Sequence, residues 1–515
     1  MVLSPQSLPA PLLVPLDNRP VCRTLPVQLA AMAGFPLGVA PGHLLGHLKT
    51  PGPVDALTEW LLSECTDGTP LILSLDALAY GGLIASRVGN ESPEELNRRV
   101  DACLNPLAGR GVPVFGFSAI MRIPHYNDAG EEPEYWATWG EALYRFSEQC
   151  HRDGREPIEW VTQIPPEVLA DFKTRRARNH ALNRGYLDRL ANDALHALVF
   201  CQDDTGEFGL NVQEAHALIQ EAGERGLSDF VRLQTGADEV ACTLLTRVWM
   251  HTLDRPLTVW PVYSHEAGGQ VMARFDGIPI ATLIEQQITA CGAVLADNAD
   301  SADSWLVVHT PTGPLGPQGD HCAAAVSDPQ DPEAGHAAIQ PAQHLAVLET
   351  LEAAFACGRP VALADIAYAN GGDPALMTLL LSRGMDWDGL YGYAGWNTPG
   401  NSVGTALAML LTRRMAEQAE TFQIDRYREM LATRLADDWL YQSTVRTALR
   451  AQHPGQLPSV AALSEAMHTG LALIRQRLKL LDYTVQLDFP CARTFEIAVS
   501  FQSLHANQPT EAAPA

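Results

Sequence analysis

The stretch Leu71-Ile72-Leu73-Ser74-Leu75-Asp76, followed by Tyr80-Gly81-Gly82, decides the fold class of this chain. An apolar run of this kind is typical of a strand that is buried on both faces of a parallel sheet. The acidic residue and the glycines come directly after the strand, where the chain must turn toward a helix. Because ligands bind outside the carboxyl ends of parallel strands, Asp76 and Tyr80 are candidate binding residues.

Three other stretches share this layout, in which an apolar run leads into acidic or amide residues. They are Leu13-Val14-Pro15-Leu16 before Asp17-Asn18-Arg19-Pro20, Leu198-Val199-Phe200-Cys201 before Gln202-Asp203-Asp204, and Val361-Ala362-Leu363-Ala364 before Asp365. Carboxylates repeated at strand ends indicate one polar, acidic cleft. Asp365, with Asn370-Gly371-Gly372 beyond it, also echoes the layout around Asp76. Two matching halves would face each other across the cleft, although chance similarity between loop residues is the alternative.

The bulk composition restricts the classes of function. A chain of 515 residues is too long for one core, so two or three domains are expected. A hydrophobic fraction of 46% with 18% charged residues is globular rather than disordered. The net charge of −25 opposes binding to nucleic acid or to an anionic membrane surface and makes a neutral or cationic substrate easier to accommodate than a polyphosphate. We expect a small, neutral polar substrate. The sequence does not determine the oligomeric state.

The cysteine pattern and the ends of the chain favour a cytoplasmic protein. The ten cysteines are scattered, without C-x-x-C pairs or zinc-like spacing. The first residues lack the basic and apolar segments of a signal peptide, and no apolar run approaches the length of a membrane span. We therefore expect reduced thiols in the cytoplasm.

The alternation of strand-like and helix-like segments predicts an α/β protein with a mainly parallel N-terminal sheet, either barrel-like or doubly wound. This N-terminal α/β domain is predicted for residues 1–287, with about seven strands and a helical insertion at about 131–194. A second α/β unit is predicted for residues 288–401, including a long loop at 311–341. Residues 402–515 are predicted to be helical, with two closing strands and a frayed tail.

Asp203 and Asp204 are the predicted catalytic residues. Two adjacent carboxylates repel each other, so in a dry pocket the pKa of one of them rises. The pair would then supply an acid and a base in one place, provided that the strand ends between them so that both side chains enter the cleft. A helix cap or an ordinary pair of loop charges is the alternative.

The remaining candidates are polar or aromatic residues near the ends of predicted strands, and we interpret them as substrate-binding residues. They are Asp17, Asn18, Arg19, Asp76, Tyr80, Arg87, Arg122, His125, Asp238, Asp365, Asn370, Trp396 and Asn397. Arg19 could clamp a carboxylate or orient Asp17, and Trp396 could stack on a sugar ring. Three of them also have a structural alternative: Arg19 could form only an ion pair, His125 could be an inert loop histidine, and Asp238 could be a helix cap.

Several known chemistries have no motif here. The chain lacks the dinucleotide fingerprint, the Walker A loop and the H-E-x-x-H helix. No cofactor and no metal-binding residue is predicted, but a divalent metal held by scattered aspartates remains an alternative.

The motifs together resemble a bacterial family known only as a domain of unknown function, number forty-one twenty-seven. The resemblance spans nearly the whole chain. It rests on residues 15–20, 74–87, 121–124, 202–204, 236–239, 394–398 and 489–496. Cys491 stands where an aromatic residue is expected, which affects only local packing. The resemblance implies that the strand-end residues form one site, and it implies no reaction.

These observations lead to one expected function and two rivals. We expect a hydrolase that acts on a sugar or amino-sugar conjugate by carboxylate acid/base catalysis. The first rival is a lyase, isomerase or hydrolase in which Asp17, Asp76, Asp203 and Asp365 bind Mg²⁺ or Mn²⁺. The second is a non-catalytic protein that binds a small ligand between its two α/β halves.

Overall fold

Two parallel sheets and one antiparallel ribbon form the framework of the protein, as seen in a computed structural model that describes residues 9–311 and 341–504. The sheets account for the predicted α/β class. The predicted loop at 311–341 falls, apart from its two end residues, outside the described residues, and so does the predicted tail at 506–515.

The first sheet is open and has six strands, which run in the order β2-β1-β3-β4-β5-β6. The strands are β1 (Leu12–Val14), β2 (Gly38–Val39), β3 (Leu71–Ser74), β4 (Val114–Ile120), β5 (Ala197–Gln202) and β6 (Val231–Thr235). Since β2 and β6 are free edges, the sheet is doubly wound rather than a closed barrel. The strand order reverses between β1 and β3, and ligands of such sheets bind outside the carboxyl ends at that point.

Successive residues of the central strands enter two different cores, one on each face of the first sheet. Ile72 and Val199 pack into the larger core, and their neighbours Leu71 and Leu198 pack into the smaller one. Burial on both faces explains why these strands read as continuous apolar runs in the sequence. The larger core also contains Leu363 of the second sheet, so the two sheets share it.

The second sheet is also parallel and has five strands, in the order β11-β10-β9-β7-β8. They are β7 (Thr258–Tyr263), β8 (Val294–Leu295), β9 (Ser304–His309), β10 (Val361–Asp365) and β11 (Leu390–Ala394). Strand β7 was predicted to belong to the first sheet, but it pairs with β9. The change of sheet therefore falls between residues 235 and 258 rather than at 288. An apolar strand has the same local pattern whichever sheet receives it.

Helices connect the strands and cover both sheets. They are α1 (Pro20–Ala33), α2 (Val54–Glu64), α3 (Leu75–Tyr80), α4 (Leu83–Val88), α5 (Pro93–Gly109), α6 (Trp136–Asp153), α7 (Ile158–Gln163), α8 (Pro166–Ala191), α9 (Leu210–Glu224), α10 (Val240–Met250), α11 (Ile280–Ala290), α12 (Pro341–Ala356), α13 (Pro374–Ser382), α14 (Pro399–Gln418), α15 (Ile424–Arg434), a π-helix (Leu435–Val445), α16 (Arg446–Gln452) and α17 (Val460–Arg477). Within the two described segments, no helix is both long enough and apolar enough to cross a membrane.

The C-terminal region is helical, as predicted, but its first helix lies at the centre of the molecule. Seventeen of the 20 residues of α14 are buried, which is the behaviour of a helix surrounded by other elements. It packs against α1, α10 and α11 and against strands β10 and β11. Strands β12 (Tyr483–Asp488) and β13 (Ala498–Ser503) form the closing antiparallel ribbon.

The shared core makes a stability prediction. Leu363 on β10 is fully buried, so Leu363→Ala leaves a cavity and should lower the free energy of unfolding by about 2–5 kcal/mol. Leu457 is 45% exposed, and Leu457→Ala should change it by less than about 0.5 kcal/mol. Urea unfolding of the two variants measures both values. Equal losses in the two variants would contradict this description of the core.

Candidate active site

A cavity of about 260 Å³ lies where loops from both sheets meet. Its lining is mostly polar and comes from segments far apart in the chain. The lining residues are Arg19, Leu83, Arg87, Arg122, His125, Tyr126, Asp128, Gly130, Glu131, Asp203, Asp204, Asp238, Phe275, Asn370, Asn397, Arg450, Arg493, Thr494 and Phe495. Nine of the predicted site residues are among them. The cavity therefore lies outside the carboxyl ends of the parallel strands, where such folds bind ligands.

Asp203 and Asp204 enter the cavity on the same side. Strand β5 ends at Gln202, and Asp204 adopts a left-handed backbone conformation with φ of 42°, which aspartate tolerates better than most residues. As a result, Nη1 of Arg122 lies 2.5 Å from Oδ2 of Asp204 and 3.9 Å from Oδ2 of Asp203. Both carboxylates thus approach one guanidinium nitrogen, which an uninterrupted strand would prevent.

The two aspartates have different surroundings. Asp203 accepts a hydrogen bond from Nη2 of Arg87 at 2.5 Å, and its side chain is 13% exposed. Desolvation raises the pKa of Asp204 to about 7, because it outweighs the opposing charge of Arg122, and the neighbouring charge of Asp203 adds to the rise. At neutral pH, Asp204 is therefore poised to give or take a proton, next to an ion-paired carboxylate.

Arg87 and Arg122 hold these carboxylates together with a second acidic pair. Nη1 of Arg87 lies 3.0 Å from Glu131 and 3.3 Å from Glu132. Nη2 of Arg122 lies 2.9 Å from Glu131, and its Nε lies 2.8 Å from Glu132. The Arg87 side chain is only 1% exposed, and a charge at such depth is tolerated only when it is paired.

Glu131 and Glu132 respond differently to this environment. Burial opposes ionisation of Glu131, but Arg122, Arg493 and Arg87 together hold its pKa well below the usual range. The pKa of Glu132 is raised, because desolvation outweighs the charges of Arg87 and Arg122. Glu131 thus acts as the common anion that three arginines share at the cavity wall.

Arg19 links the end of β1 to the loop after β6. Its Nε lies 2.8 Å from Oδ2 of Asp17, and its two Nη atoms lie 3.3 and 2.6 Å from the two oxygens of Asp238. Asp17 also accepts the backbone N–H of Arg19 at 3.0 Å. Arg19 and Asp238 line the cavity, whereas Asp17 lies behind them. Asp238 is therefore an ion-pair partner, not the helix cap that the sequence left as an alternative.

The segment between β12 and β13 completes the cavity wall. Arg493 pairs with Glu131 and with Glu496, and Phe495 presents an aromatic ring to the cavity. Arg450 donates from its Nε to Oγ1 of Thr494 at 2.8 Å. In the parts of the chain that the structure describes, Arg450 is the one cavity arginine without a carboxylate partner.

Asp76 and Tyr80 lie behind the cavity rather than on its surface. Asp76 is 2% exposed and accepts the backbone N–H of Ala119 at 2.7 Å, which joins the end of β3 to β4. Tyr80 is 3% exposed and donates to the side-chain oxygen of Asn179 at 2.9 Å. Their contacts join α3 to strand β4 and to helix α8, and neither Asp76 nor Tyr80 is part of the cavity lining.

The second sheet contributes two amides to the cavity, but not the predicted tryptophan face. Asn370 and Asn397 line the cavity, and the Asn370 N–H donates to the Asn397 carbonyl at 2.8 Å. Trp396 is 3% exposed and packs against Phe495, with ring centroids 5.6 Å apart. A buried ring cannot stack on a sugar, so the predicted stacking role of Trp396 is not supported. Phe495, which is half-buried, is the neighbouring aromatic residue that lines the cavity.

Three further candidates complete the comparison with the sequence predictions. His125 lines the cavity, with its ring 5.3 Å from Tyr126 and 6.4 Å from Phe275 by centroids. Asn18 lies outside the lining, and its side-chain oxygen is 3.2 Å from Nδ1 of His47. Asp365 is fully buried and accepts the backbone N–H of Asp373 at 2.7 Å.

The four aspartates that the metal-dependent rival requires are not brought together. Asp17 and Asp203 each pair with an arginine, while Asp76 accepts the backbone N–H of Ala119 and Asp365 accepts that of Asp373. Among residues 9–311 and 341–504, one set of side chains has the spacing of metal ligands, and it is His309, His344 and Asp373. That set lies at the carboxyl edge of the second sheet.

Several residues of the cavity were not among the predicted site residues, notably Glu131, Phe275, Arg450, Arg493 and Phe495. No local pattern distinguishes them, because their roles depend on contacts between distant segments. Arg493 and Phe495 do fall within the closing motif on which the family resemblance rests, and that signal could have placed them at the site.

The chain belongs to the family described as protein of unknown function (DUF4127), whose model matches residues 11–500. This confirms the resemblance drawn from the motifs. No curated protein is detectably similar to the chain.

The burial of Asp76 predicts how the free energy of unfolding depends on pH. Desolvation raises its pKa to about 7 in the folded protein, whereas the unfolded chain ionises near pH 4. The folded state therefore holds the proton more tightly, and this contribution to stability is lost as the pH rises from about 4 to about 7. Asp76→Asn keeps an acceptor for Ala119 but does not ionise, so its stability relative to wild type should increase over that range, by up to roughly 4 kcal/mol.

Urea unfolding at pH 4.5, 6 and 7.5 measures this difference. Asp254→Asn is the matched control, because it makes the same change at an exposed position. A constant difference for Asp76→Asn would show that Asp76 is not held protonated by burial.

Proposed function

We propose that the protein is a hydrolase that acts on a sugar or amino-sugar conjugate by carboxylate acid/base catalysis. One observation carries the proposal: two adjacent carboxylates with unlike surroundings, Asp203 and Asp204, face the same cavity. Enzymes that cleave glycosidic bonds need one carboxyl group that is protonated and one that is ionised. Asp204 is the proposed proton donor, and Asp203 is the proposed carboxylate partner.

In the proposed reaction, Asp204 protonates the leaving oxygen as the bond to the sugar carbon breaks. Asp203 supports the attacking group, which is either a water molecule or, in an N-acetyl sugar, the sugar's own acetamido oxygen. The second mode suits a pair of carboxylates that approach from one side, as the shared contact with Arg122 indicates. When water attacks directly, its hydroxyl bonds to the sugar carbon, Asp203 takes its proton, and solvent returns a proton to Asp204. When the acetamido oxygen attacks first, water then opens the cyclic intermediate, and Asp204 takes the proton of that water.

The lining of the cavity supports a small, neutral and polar substrate. Most cavity charges are paired within the protein, so they offer hydrogen bonds without a strong net field. Asn370, Asn397 and Arg450 are suitable partners for hydroxyl or carbonyl oxygens, and Phe495 offers an apolar face. A volume of about 260 Å³ lies just below the range of roughly 300–1,000 Å³ that is usual for ligand pockets. The cavity therefore suits one sugar ring rather than a polymer.

We infer that this reaction takes place in the cytoplasm. Nine cysteines lie in the described segments, and none of them forms a disulfide. Free thiols in a chain of this size are typical of a reducing compartment.

The roles of the two aspartates predict different responses to substitution. With nitrophenyl glycosides, Asp204→Asn should lower kcat by about 10²–10⁴-fold, because general acid catalysis is lost. The loss should largely disappear with a dinitrophenyl glycoside, whose leaving group needs no proton. Asp203→Asn should remain impaired with both substrates.

For wild type, kcat/KM should fall about tenfold per pH unit above pH 7, as the Asp204 proton is lost.

Steady-state kinetics over a panel of glycosides and N-acetyl-glycosaminides measure these effects, with Asp254→Asn as the control. Equal turnover in wild type and in both site variants would remove the pair from the mechanism. Tight binding of a glycoside by wild type without any turnover would favour the non-catalytic binding protein instead.

A further inference from the structure

We propose that His309, His344 and Asp373 bind one divalent transition-metal ion at the carboxyl edge of the second sheet. His309 is the last residue of β9, His344 lies in the first turn of α12, and Asp373 caps the N-terminus of α13. The three residues thus come from three separate elements that converge beside the loop after β10. This proposal is independent of the hydrolase proposal, since no step of that reaction uses the ion.

The geometry of the three side chains is that of a ligand set. Nε2 of His309 lies 3.0 Å from Oδ2 of Asp373, and Nε2 of His344 lies 2.7 Å from the same oxygen. All three potential ligand atoms lie within 4.8 Å of one another. Ligands bound to one Zn²⁺ at about 2.0–2.2 Å are separated by roughly 3–3.5 Å, so only small side-chain movements would seat an ion between them.

Asp373 is fixed so that one of its oxygens remains directed at the histidines. Oδ1 accepts the backbone N–H groups of Ala375 and Leu376 at 2.8 and 3.3 Å, which caps α13. The backbone N–H of Asp373 donates in turn to Oδ2 of Asp365 at 2.7 Å. Oδ2 of Asp373 is therefore the oxygen available to a metal, as a single-oxygen ligand held by two rigid elements.

Burial supplies a second, independent observation. His309 and Asp365 are fully buried and lie opposite each other on neighbouring strands. Nδ1 of His309 and Oδ1 of Asp365 have no hydrogen-bond partner within residues 9–311 and 341–504. Buried polar atoms without partners are costly and call for a bound ion or water. With the ion at Nε2, the Nδ1 atom of His309 faces away from it, so Oδ1 of Asp365 is the atom for which a water bound to the ion would supply a partner.

The ligand types select the kind of metal. Imidazole nitrogens favour Zn²⁺, Fe²⁺ and related ions, whereas Mg²⁺ and Ca²⁺ prefer sites made of oxygen ligands. Two histidines and one carboxylate leave an open coordination position, which is characteristic of catalytic zinc and non-haem iron sites. The His344 side chain is 13% exposed, so the site is accessible from solvent. Asn370, three residues before Asp373, lines the cavity described above.

Metal analysis of the full-length, untagged protein tests the proposal. After treatment with a chelator, the protein should bind about one Zn²⁺ per chain, and Co²⁺ in its place should give a visible absorption band. His344→Ala and Asp373→Asn should each weaken Zn²⁺ binding at least tenfold and abolish that band. His468→Ala is the matched control, because His468 is an exposed helical histidine, and it should bind as wild type does.

Thermal unfolding separates loss of the site from loss of the fold. Asn at position 373 can still cap α13 through its side-chain oxygen, so the metal-free Asp373→Asn variant should unfold near the temperature of metal-free wild type. Added Zn²⁺ should raise the Tm of wild type but not that of the variants, because an ion that binds only the folded state stabilises it. Wild type without stoichiometric Zn²⁺, or variants that bind it equally well, would overturn the proposal.

Discussion

Charge compensation by buried arginines is the constraint on which the site depends. Arg19, Arg87 and Arg122 have side chains that are only 7%, 1% and 9% exposed. A guanidinium at that depth is stable only beside carboxylates, and carboxylates gathered at strand ends repel one another unless guanidiniums lie between them. Neither set could be buried without the other. These ion pairs link segments that follow five different strands of the first sheet: Arg19 joins those after β1 and β6, and Arg87 and Arg122 join those after β3, β4 and β5.

The carboxyl groups of this network have different numbers of arginine partners, and this difference gives them different pKa values. Arg87 contacts three carboxylates, while Glu131 is shared among three arginines. Asp204 has a single close guanidinium contact and the charge of Asp203 beside it, so desolvation prevails and its pKa rises. The network thus contains one group that is ready to exchange a proton near neutral pH.

The sequence was informative wherever a local pattern follows from burial. Continuous apolar runs such as that at Leu71 predicted parallel strands, because those strands are covered on both faces, and the polar residues after them predicted where the cavity lies. The sequence was not informative where contacts between distant segments determine the structure. No local sequence pattern shows which sheet the strand Thr258–Tyr263 joins. None shows that Trp396 is buried against Phe495. The histidines near Asp373 are 64 and 29 residues away from it in the chain, too far apart to form a motif.

The contact between Arg493 and Glu131 allows the most direct test, because it joins segments 362 residues apart across the cavity wall. A double-mutant cycle with Arg493→Met, Glu131→Gln and the combined variant measures the coupling in the free energy of unfolding. If distant segments close one site through shared ion pairs, the coupling should be about 1–3 kcal/mol. Additive effects, with a coupling below about 0.5 kcal/mol, would contradict the existence of this network.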